Sequence, residues 1–366
     1  MQIDSAELKI SGKIDLNNFL IKDHQNDTLI YFTNLYLSPI SLNKLISNDL
    51  NFRSIDFSGL KINIYKYLGE EQNNLGIFID KLTNENKKVK SDSDFIYNIN
   101  KINGNNSELT FKDFNLTKNN FKLDNLNLEL SNFIVSNNQI ELNLNNISFN
   151  NDEALALNQL SSKLIFSKND FKLNDLKLKY ENSNIEGDLV LDLSRLDVSD
   201  LKNTNIYDSL YIDLKIKNSK IFPSDFNKFF NKIDKSYSSA FMFESKINGF
   251  LNALNINNTI FSNQVSLIEF DSRILNFFSS NNNYSLSFIF KNINTSSFEI
   301  NSLVPEIFGT ILPSSSKSIG DFKFKGSMSV NSQKVESDFN LLVQNGQVNA
   351  LLSISDFSNI DNAIYK

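Results

Sequence analysis

Cysteine and tryptophan are absent from this chain, and histidine occurs once, at His24. Without cysteine there is no disulfide scaffold, no thiolate zinc site and no cysteine nucleophile. A single histidine removes multi-histidine metal sites and makes a histidine-based catalytic dyad a poor candidate. Only 11 Gly and 4 Pro are present. Collagen-like, Gly/Ser-linker and Pro-rich classes are thereby excluded. Basic residues number 36 against 42 acidic, a net charge of -6. A dedicated nucleic-acid binder would show a basic face, so no nucleic-acid partner is expected. Met1-Gln2-Ile3-Asp4-Ser5 has neither a basic start nor an apolar stretch, and no long uninterrupted apolar run follows. Neither a secretory leader nor a membrane-spanning helix is visible.

What is present is hydrophobicity in a regular rhythm. Hydrophobic residues make up 40% of 366 positions, with 32 Phe, too many for a disordered chain. The length exceeds one ordinary compact core and points to two domains or a repeat array. Asparagine fills about one position in six, with Lys, Ile and Phe also common, a set that AT-rich coding produces by itself. Asparagine is a poor strand former, yet here it alternates with Leu, Ile and Phe as the polar partner.

The apolar period is two almost everywhere, as in half-buried antiparallel strands. Leu126, Leu128 and Leu130 alternate with Asn127 and Glu129; Leu189, Leu191 and Leu193, then Leu286, Phe288 and Phe290, obey the same rule. Turn residues such as Asn345-Gly346 punctuate the runs. Short helices are expected near residues 39–47, 75–82, 223–233 and 303–312, as caps over sheet ends or seams.

Repetition is also present. Thr117-Lys-Asn-Asn-Phe-Lys-Leu-Asp-Asn-Leu-Asn-Leu128 recurs as Ser167-Lys-Asn-Asp-Phe-Lys-Leu-Asn-Asp-Leu-Lys-Leu178. In both copies the apolar parity slips, predicting a bulge or tight bend at Asp124-Asn125 and at Asn174-Asp175. A looser motif, apolar-x-Gly-x-apolar, places Gly12, Gly187, Gly249 and Gly326 inside strands. There the sheet should bend sharply or a second backbone should come close. Repeats without a composition shift or linker predict one continuous array over residues 1–366, with no domain boundary.

Candidate chemistry is sparse. His24 sits in Lys22-Asp23-His24-Gln25-Asn26-Asp27-Thr28, which reads as a polar turn before it reads as a metal or acid/base site. Glu70-Glu71 and Lys87-Lys88-Val89-Lys90 read as solvated charge clusters. No glycine-rich phosphate loop, Gly-x-Ser-x-Gly elbow or calcium-type loop is present. No enzyme activity, metal or cofactor is therefore expected.

The remaining signal is the apolar stripe. A closed sandwich or barrel core is its commonest fate. A single curled sheet would carry the same pattern, with Leu, Ile and Phe inside and Asn, Lys and Asp facing water. An open apolar trough needs a ligand, and lipid acyl chains fit, at roughly 0.8 kcal/mol per buried methylene. The fold class expected is all-β, an elongated repetitive antiparallel β-groove with a few short capping helices. Its lining would be Phe121, Leu123, Leu126, Leu128, Leu130, Leu142, Leu144, Phe171, Leu173, Leu176, Leu178, Leu189, Leu191 and Leu193.

Three stretches resemble a known family: Asp23-His24-Gln-Asn-Asp27-Thr28-Leu29-Ile30, Leu45-Ile-Ser-Asn-Asp-Leu50-Asn-Phe52 and Ile55-Asp-Phe-Ser-Gly59-Leu60-Lys-Ile62. They are similar to the N-terminal region of TamB-like proteins of the Bacteroidetes type. These are components of the translocation and assembly module within the AsmA-like family. The resemblance implies a non-enzymatic β-groove conducting phospholipid between inner and outer membrane, with a role in outer-membrane protein assembly or secretion. It implies a periplasmic location, anchoring to the inner membrane through a segment outside this chain, and an outer-membrane barrel as partner. The chain would then be an internal or truncated piece of such a protein. Alternatives from other classes are a chaperone binding extended peptide at a strand edge and a structural or adhesive surface β protein.

Overall fold

The computed structural model describes residues 2–41, 51–85, 97–116, 120–136, 139–150, 156–196, 205–227, 233–234, 236–278, 283–305, 314–355 and 364–365. Strands dominate them and helices are few and short, so the protein is all-β. The backbone divides into two compact units, residues 1–167 and 168–366.

Unit 1 contains β1 (Ser5–Leu8), β2 (Ile14–Lys22), β3 (Thr28–Pro39), β4 (Phe52–Ser58), β5 (Lys61–Lys66), α1 (Asn74–Glu85), β6 (Tyr97–Asp113), β7 (Phe121–Ser136), β8 (Gln139–Asn150) and β9 (Ala156–Ser167). Consecutive antiparallel pairing is broken at one place. β4 and β5 both pair antiparallel with β3 and parallel with β6, so together they fill one position of the sheet. The parallel step requires a crossover, and α1 supplies it. Asn73 Oδ1 accepts the Gly76 N–H at 2.8 Å and starts that helix, which covers the expected residues 75–82.

Unit 2 is an antiparallel meander in which each strand pairs with the next. Its strands are β10 (Asp170–Tyr180), β11 (Ser183–Asp192), β12 (Tyr211–Ile221), β13 (Phe241–Phe250), β14 (Ala253–Ser262), β15 (Leu267–Leu275), β16 (Ser285–Ser296), β17 (Asp321–Asn331), β18 (Lys334–Val343), β19 (Gly346–Ser355) and β20 (Ile364–Tyr365). Between them lie α2 (Ile206–Ser209), α3 (Ser297–Leu303) and 3-10 segments at Pro223–Phe226 and Ser314–Ile319.

Both expected parity slips are bulges. The register shifts between Asp124 and Asn127 and between Leu173 and Leu176, with Asn125 at φ 49 and Asp175 at φ 52. Asn106, Asn218 and Asn258 repeat the device at φ 50, 50 and 52. Asparagine and aspartate tolerate the left-handed region, so the residue type that coding bias supplies is put to use at these bends. Three of the bulge N–H groups are captured from the neighbouring strand. Asn106 N–H donates to Asn127 Oδ1 (3.0 Å), Asp175 N–H to Asp188 Oδ1 (2.9 Å) and Asn258 N–H to Asp271 Oδ1 (2.7 Å). In unit 2 a lysine completes each triad, Lys217 on Asp188 at 3.1 Å and Lys291 on Asp271 at 2.8 Å.

The strand glycines behave as the motif predicts at Gly187 and Gly326. A Cβ there would lie 2.2 Å from Lys215 O and 2.3 Å from Asp338 O respectively. Gly12 departs from it: it occupies the turn between β1 and β2, at φ 80.

The other three helix expectations fall largely outside the described residues. Pro39 ends β3 opposite Phe52 instead of opening a helix, and residues 42–47 lie outside the described residues. Of residues 223–233 only a 3-10 turn at Pro223–Phe226 is described, and 228–232 lie outside. Next to the helix expected over 303–312, a helix at Ser297–Leu303 ends on the first residue of that range. Its N-cap is Ser296, whose Oγ accepts the Glu299 N–H at 3.0 Å. Pro305 follows the end, as a residue without an N–H should; residues 306–312 lie outside the described residues.

Candidate functional site: one apolar face in each unit

The registers turn alternating sequence into continuous lines across the strands of each unit. In unit 1 one line runs Leu16, Leu35, Phe57, Gly104, Leu128, Ile147, Leu160. The line beside it, on the opposite face, runs Asp15, Tyr36, Asp56, Asn103, Glu129, Asn146. In unit 2 the corresponding line runs Leu173, Leu189, Leu214, Ile247, Ile256, Ser272, Phe288, Met328, Ser337, Leu352. Its neighbour is Lys172, Val190, Asp213, Asn248, Asn255, Arg273, Ser287, Ser329, Glu336, Ser353. A one-residue slip would exchange the two faces; the bulges preserve the division where strands bend.

A second layer over these faces would bury them. Among the described residues only Leu29, Leu60, Leu142 and Leu144 are buried apolar side chains in unit 1, and Leu173, Leu176, Tyr180, Tyr237 and Phe241 in unit 2. Most other members of the two apolar lines are half-buried, and Leu352 is exposed. Elements outside the sheets, among the described residues, are three short helices and two 3-10 segments.

The residues expected to line a groove fall on these faces with two qualifications. Phe121 stacks on Phe111 (5.7 Å between centroids) and Leu123 lies opposite Leu109; Leu126 opposes Ser107, and Leu130 opposes both Ile102 and Leu144. Leu142 and Leu144 are buried, whereas Leu128 and Leu130 are half-buried. Phe171, Leu178 and Leu191 are half-buried beside the buried Leu173 and Leu176. Phe121 is 48% exposed at the start of β7. Leu193 lies past the end of β11, its N–H bonded to Asn169 O at 2.6 Å, so it belongs to a turn.

Sequence reasoning placed no lining residue beyond Leu193, and there the structure has an aromatic ladder. Phe243 stacks on Phe261 (4.5 Å), Phe261 on Phe270 (6.4 Å), Phe270 meets Phe290 (6.2 Å), Phe290 meets Phe324 (5.5 Å) and Phe324 stacks on Phe339 (5.3 Å). Six successive strands each contribute at least one ring. Phenylalanine at 288 and 290 and at 322 and 324 was the signal; the cross-strand register that joins the rings was not in the sequence.

Polar networks fasten the strand ends. In unit 1 the buried Asn74 donates to Asp23 Oδ2 (2.8 Å) and accepts the Tyr65 N–H (2.9 Å), while Tyr67 donates to Asp23 (2.7 Å) and Asp27 (2.8 Å). Burial works against ionisation of Asp23. The Asn74 and Tyr67 donors and the N–H groups of Asp27 and Gln25 outweigh it, leaving that carboxyl below its ordinary value. Burial, then the hydrogen bonds to the two carboxylates, push Tyr67 far up. His24 Nε2 lies 2.8 Å from Glu70 Oε1, a contact within this turn network. In unit 2, Asp225 accepts from Ser183 Oγ (2.7 Å) and the Asn182 N–H (3.0 Å). Glu299 accepts from Tyr237 and, at 2.8 Å, from Asn263. Burial, then Glu299, hold the Tyr237 hydroxyl well above its usual range.

Asp23 and Asp225 accept on both oxygens from donors of their own fold, which suits fastening of the strand ends. Among the described residues no group of three or more His, Asp or Glu is placed to hold a metal ion, and no helix is long and apolar enough to cross a membrane. Comparison with known proteins returned no matching family model, no matching curated protein and no matching solved structure.

Proposed function

We propose that the apolar faces of the two units bind lipid acyl chains, and that the protein is a non-enzymatic carrier or conduit for phospholipid. The observation that supports this reading is the run of mostly half-buried Leu, Ile and Phe from β2 to β9 in unit 1 and from β10 to β19 in unit 2, interrupted at Gly104, Ser272 and Ser337, with only short helices and 3-10 segments outside the strands among the described residues. An acyl chain needs no directional contact, only apolar surface. Ten buried methylenes are worth roughly 8 kcal/mol before the entropy of association is subtracted. Phenylalanine rings linked across six strands offer a polarisable surface along which a chain can slide.

The resemblance to TamB-like proteins supplies the setting. Phospholipid would move between inner and outer membrane through the periplasm, near an outer-membrane barrel whose assembly or secretion role the groove would serve. Mass spectrometry of organic extracts from the purified chain tests the lipid reading. Co-purifying phospholipid in near-stoichiometric amount is expected; extracts that hold none, together with no uptake of a fluorescent fatty acid, would sink it.

One observation favours a second reading, capture of extended peptide. Among the described residues the free side of β19 pairs only with Ile364 and Tyr365, and Val348, Leu351 and Leu352 on that strand are exposed. Unpaired strand edges accept peptide by main-chain bonding. Peptide bound without lipid would decide for this chaperone-like role.

A further inference from the structure

One rim of unit 2 carries a cluster that the apolar face does not explain. Ile206, Tyr207, Phe277 and Phe278 are all exposed, Phe277 to 56%. Tyr207 and Phe278 stack with centroids 5.8 Å apart and planes within 6°, and Phe277 meets Phe278 edge-on at 5.4 Å. The Arg195 guanidinium lies 4.7 Å from the centroid of the Phe250 ring on the adjoining strand end.

Exposed rings on turns usually relax, yet these are held. The Asn252 N–H donates to Tyr207 O (2.9 Å) and the Asn276 N–H to Asn252 O (2.7 Å), which ties three turns together. Asn252 Nδ2 donates to Asp208 Oδ1 at 2.8 Å, so the nearby carboxylate is occupied by the scaffold. Order of this kind is established on folding, and little further side-chain entropy is lost on docking.

We propose that this rim docks unit 2 onto a lipid bilayer surface. The tips come from separate turns and offer aromatic and aliphatic side chains, and one guanidinium, Arg195, lies at the adjoining strand end near the Asp192 carboxylate. That composition matches the interfacial zone of a membrane, where amphipathic rings sit at headgroup depth and arginine meets phosphate. A protein partner would need shape complementarity over a broad face, whereas a lipid interface needs only apolar tips and a cation. The docking is independent of the acyl-binding reading, since it concerns strand ends and not the face.

The absence of tryptophan makes the test direct. Phe278→Trp places the sole indole of the chain on the rim. Its emission should shift to the blue with phosphatidylcholine vesicles and be quenched by bromine on the lipid chains. Phe277→Ala added to that background should weaken vesicle partition about tenfold, with unchanged thermal unfolding. Arg195→Gln should leave phosphatidylcholine binding intact and remove the added affinity for vesicles containing phosphatidylglycerol. An unshifted emission with both vesicle types, or partition insensitive to Phe277→Ala, overturns the proposal. So does self-association without vesicle binding that Phe277→Ala abolishes, which would assign the rim to a second copy. Fatty-acid uptake measured on the same variants reads the apolar face separately, so either inference can fail without the other.

Discussion

Two leucines sixteen residues apart on the same apolar face, Leu128 and Leu144, should answer the same substitution differently. Leu144 is 8% exposed and lies opposite Leu130 and Ser162, whereas Leu128 is half-buried opposite Gly104 and Ile147. Leu144→Asp places a carboxylate where water does not reach, a loss of about 3–5 kcal/mol. That is a large share of the roughly 5–15 kcal/mol that holds a domain together. Leu128→Asp forfeits only the buried half of a leucine, about 1 kcal/mol of the roughly 2 kcal/mol for full burial. Its carboxylate stays hydrated. Asn127→Asp, on the opposite face, keeps the oxygen that accepts the Asn106 N–H at 3.0 Å but loses the exposed Nδ2 bond to Asn125 O, a loss of about 0.5 kcal/mol. Urea unfolding followed by circular dichroism should rank the loss Leu144→Asp, Leu128→Asp, Asn127→Asp. Fatty-acid uptake by the folded Leu128→Asp protein should fall, because an acyl chain must pass a charge. If Leu128→Asp unfolded as readily as Leu144→Asp, the face would be a closed core in solution. Unchanged uptake would remove the lipid from the argument.

Other consequences are separable. Gly326→Ala drives a Cβ to 2.3 Å from Asp338 O, forcing β17 and β18 apart at a cost of about 1–3 kcal/mol. A Cβ at Gly346 meets nothing within 4 Å, so Gly346→Ala should be neutral or slightly stabilising; equal thermal midpoints for the two variants would refute the close-approach argument. Acid should weaken unit 2 through its bulge triads. The Asp175 N–H, then Lys217, hold Asp188 below its ordinary value. At Asp271 burial opposes ionisation, but Lys291 and the Asn258 N–H prevail and its value is also lowered. Carboxyls depressed in the folded state add stability above about pH 4, lost as pH falls through their folded values. Urea midpoints measured downward from neutrality should therefore decline below about pH 4, with a shallower decline in Asp271→Asn; identical profiles would contradict the triad.

Much of the strand content was legible because period two survives in one dimension. The bulges at Asn125 and Asp175 were legible too, since an extra residue leaves a parity slip that any reader can count. The helices were less so. Pro305 drew attention away from Ser296, nine residues earlier, whose Oγ caps the helix that Pro305 follows. Among the lining residues, Leu193 kept the parity of Leu189 and Leu191 but lies beyond β11; alternation does not say where hydrogen bonding to a neighbour stops.

By itself, then, the sequence determined the class of structure, the division of each strand into an apolar and a polar side, and the positions where strands must bend, since all three follow from neighbours along the chain. Which strands pair was decided only by the tertiary structure, including the parallel step in which β4 and β5 share one place beside β6. The same is true of the phenylalanine ladder from Phe243 to Phe339, the carboxylates at Asp23, Asp225 and Glu299 enclosed by distant donors, and the exposed rim around Tyr207 and Phe278. Each of these depends on register between segments separated by tens of residues, and the free energy that selects a register belongs to pairs of strands, which no single stretch of sequence contains.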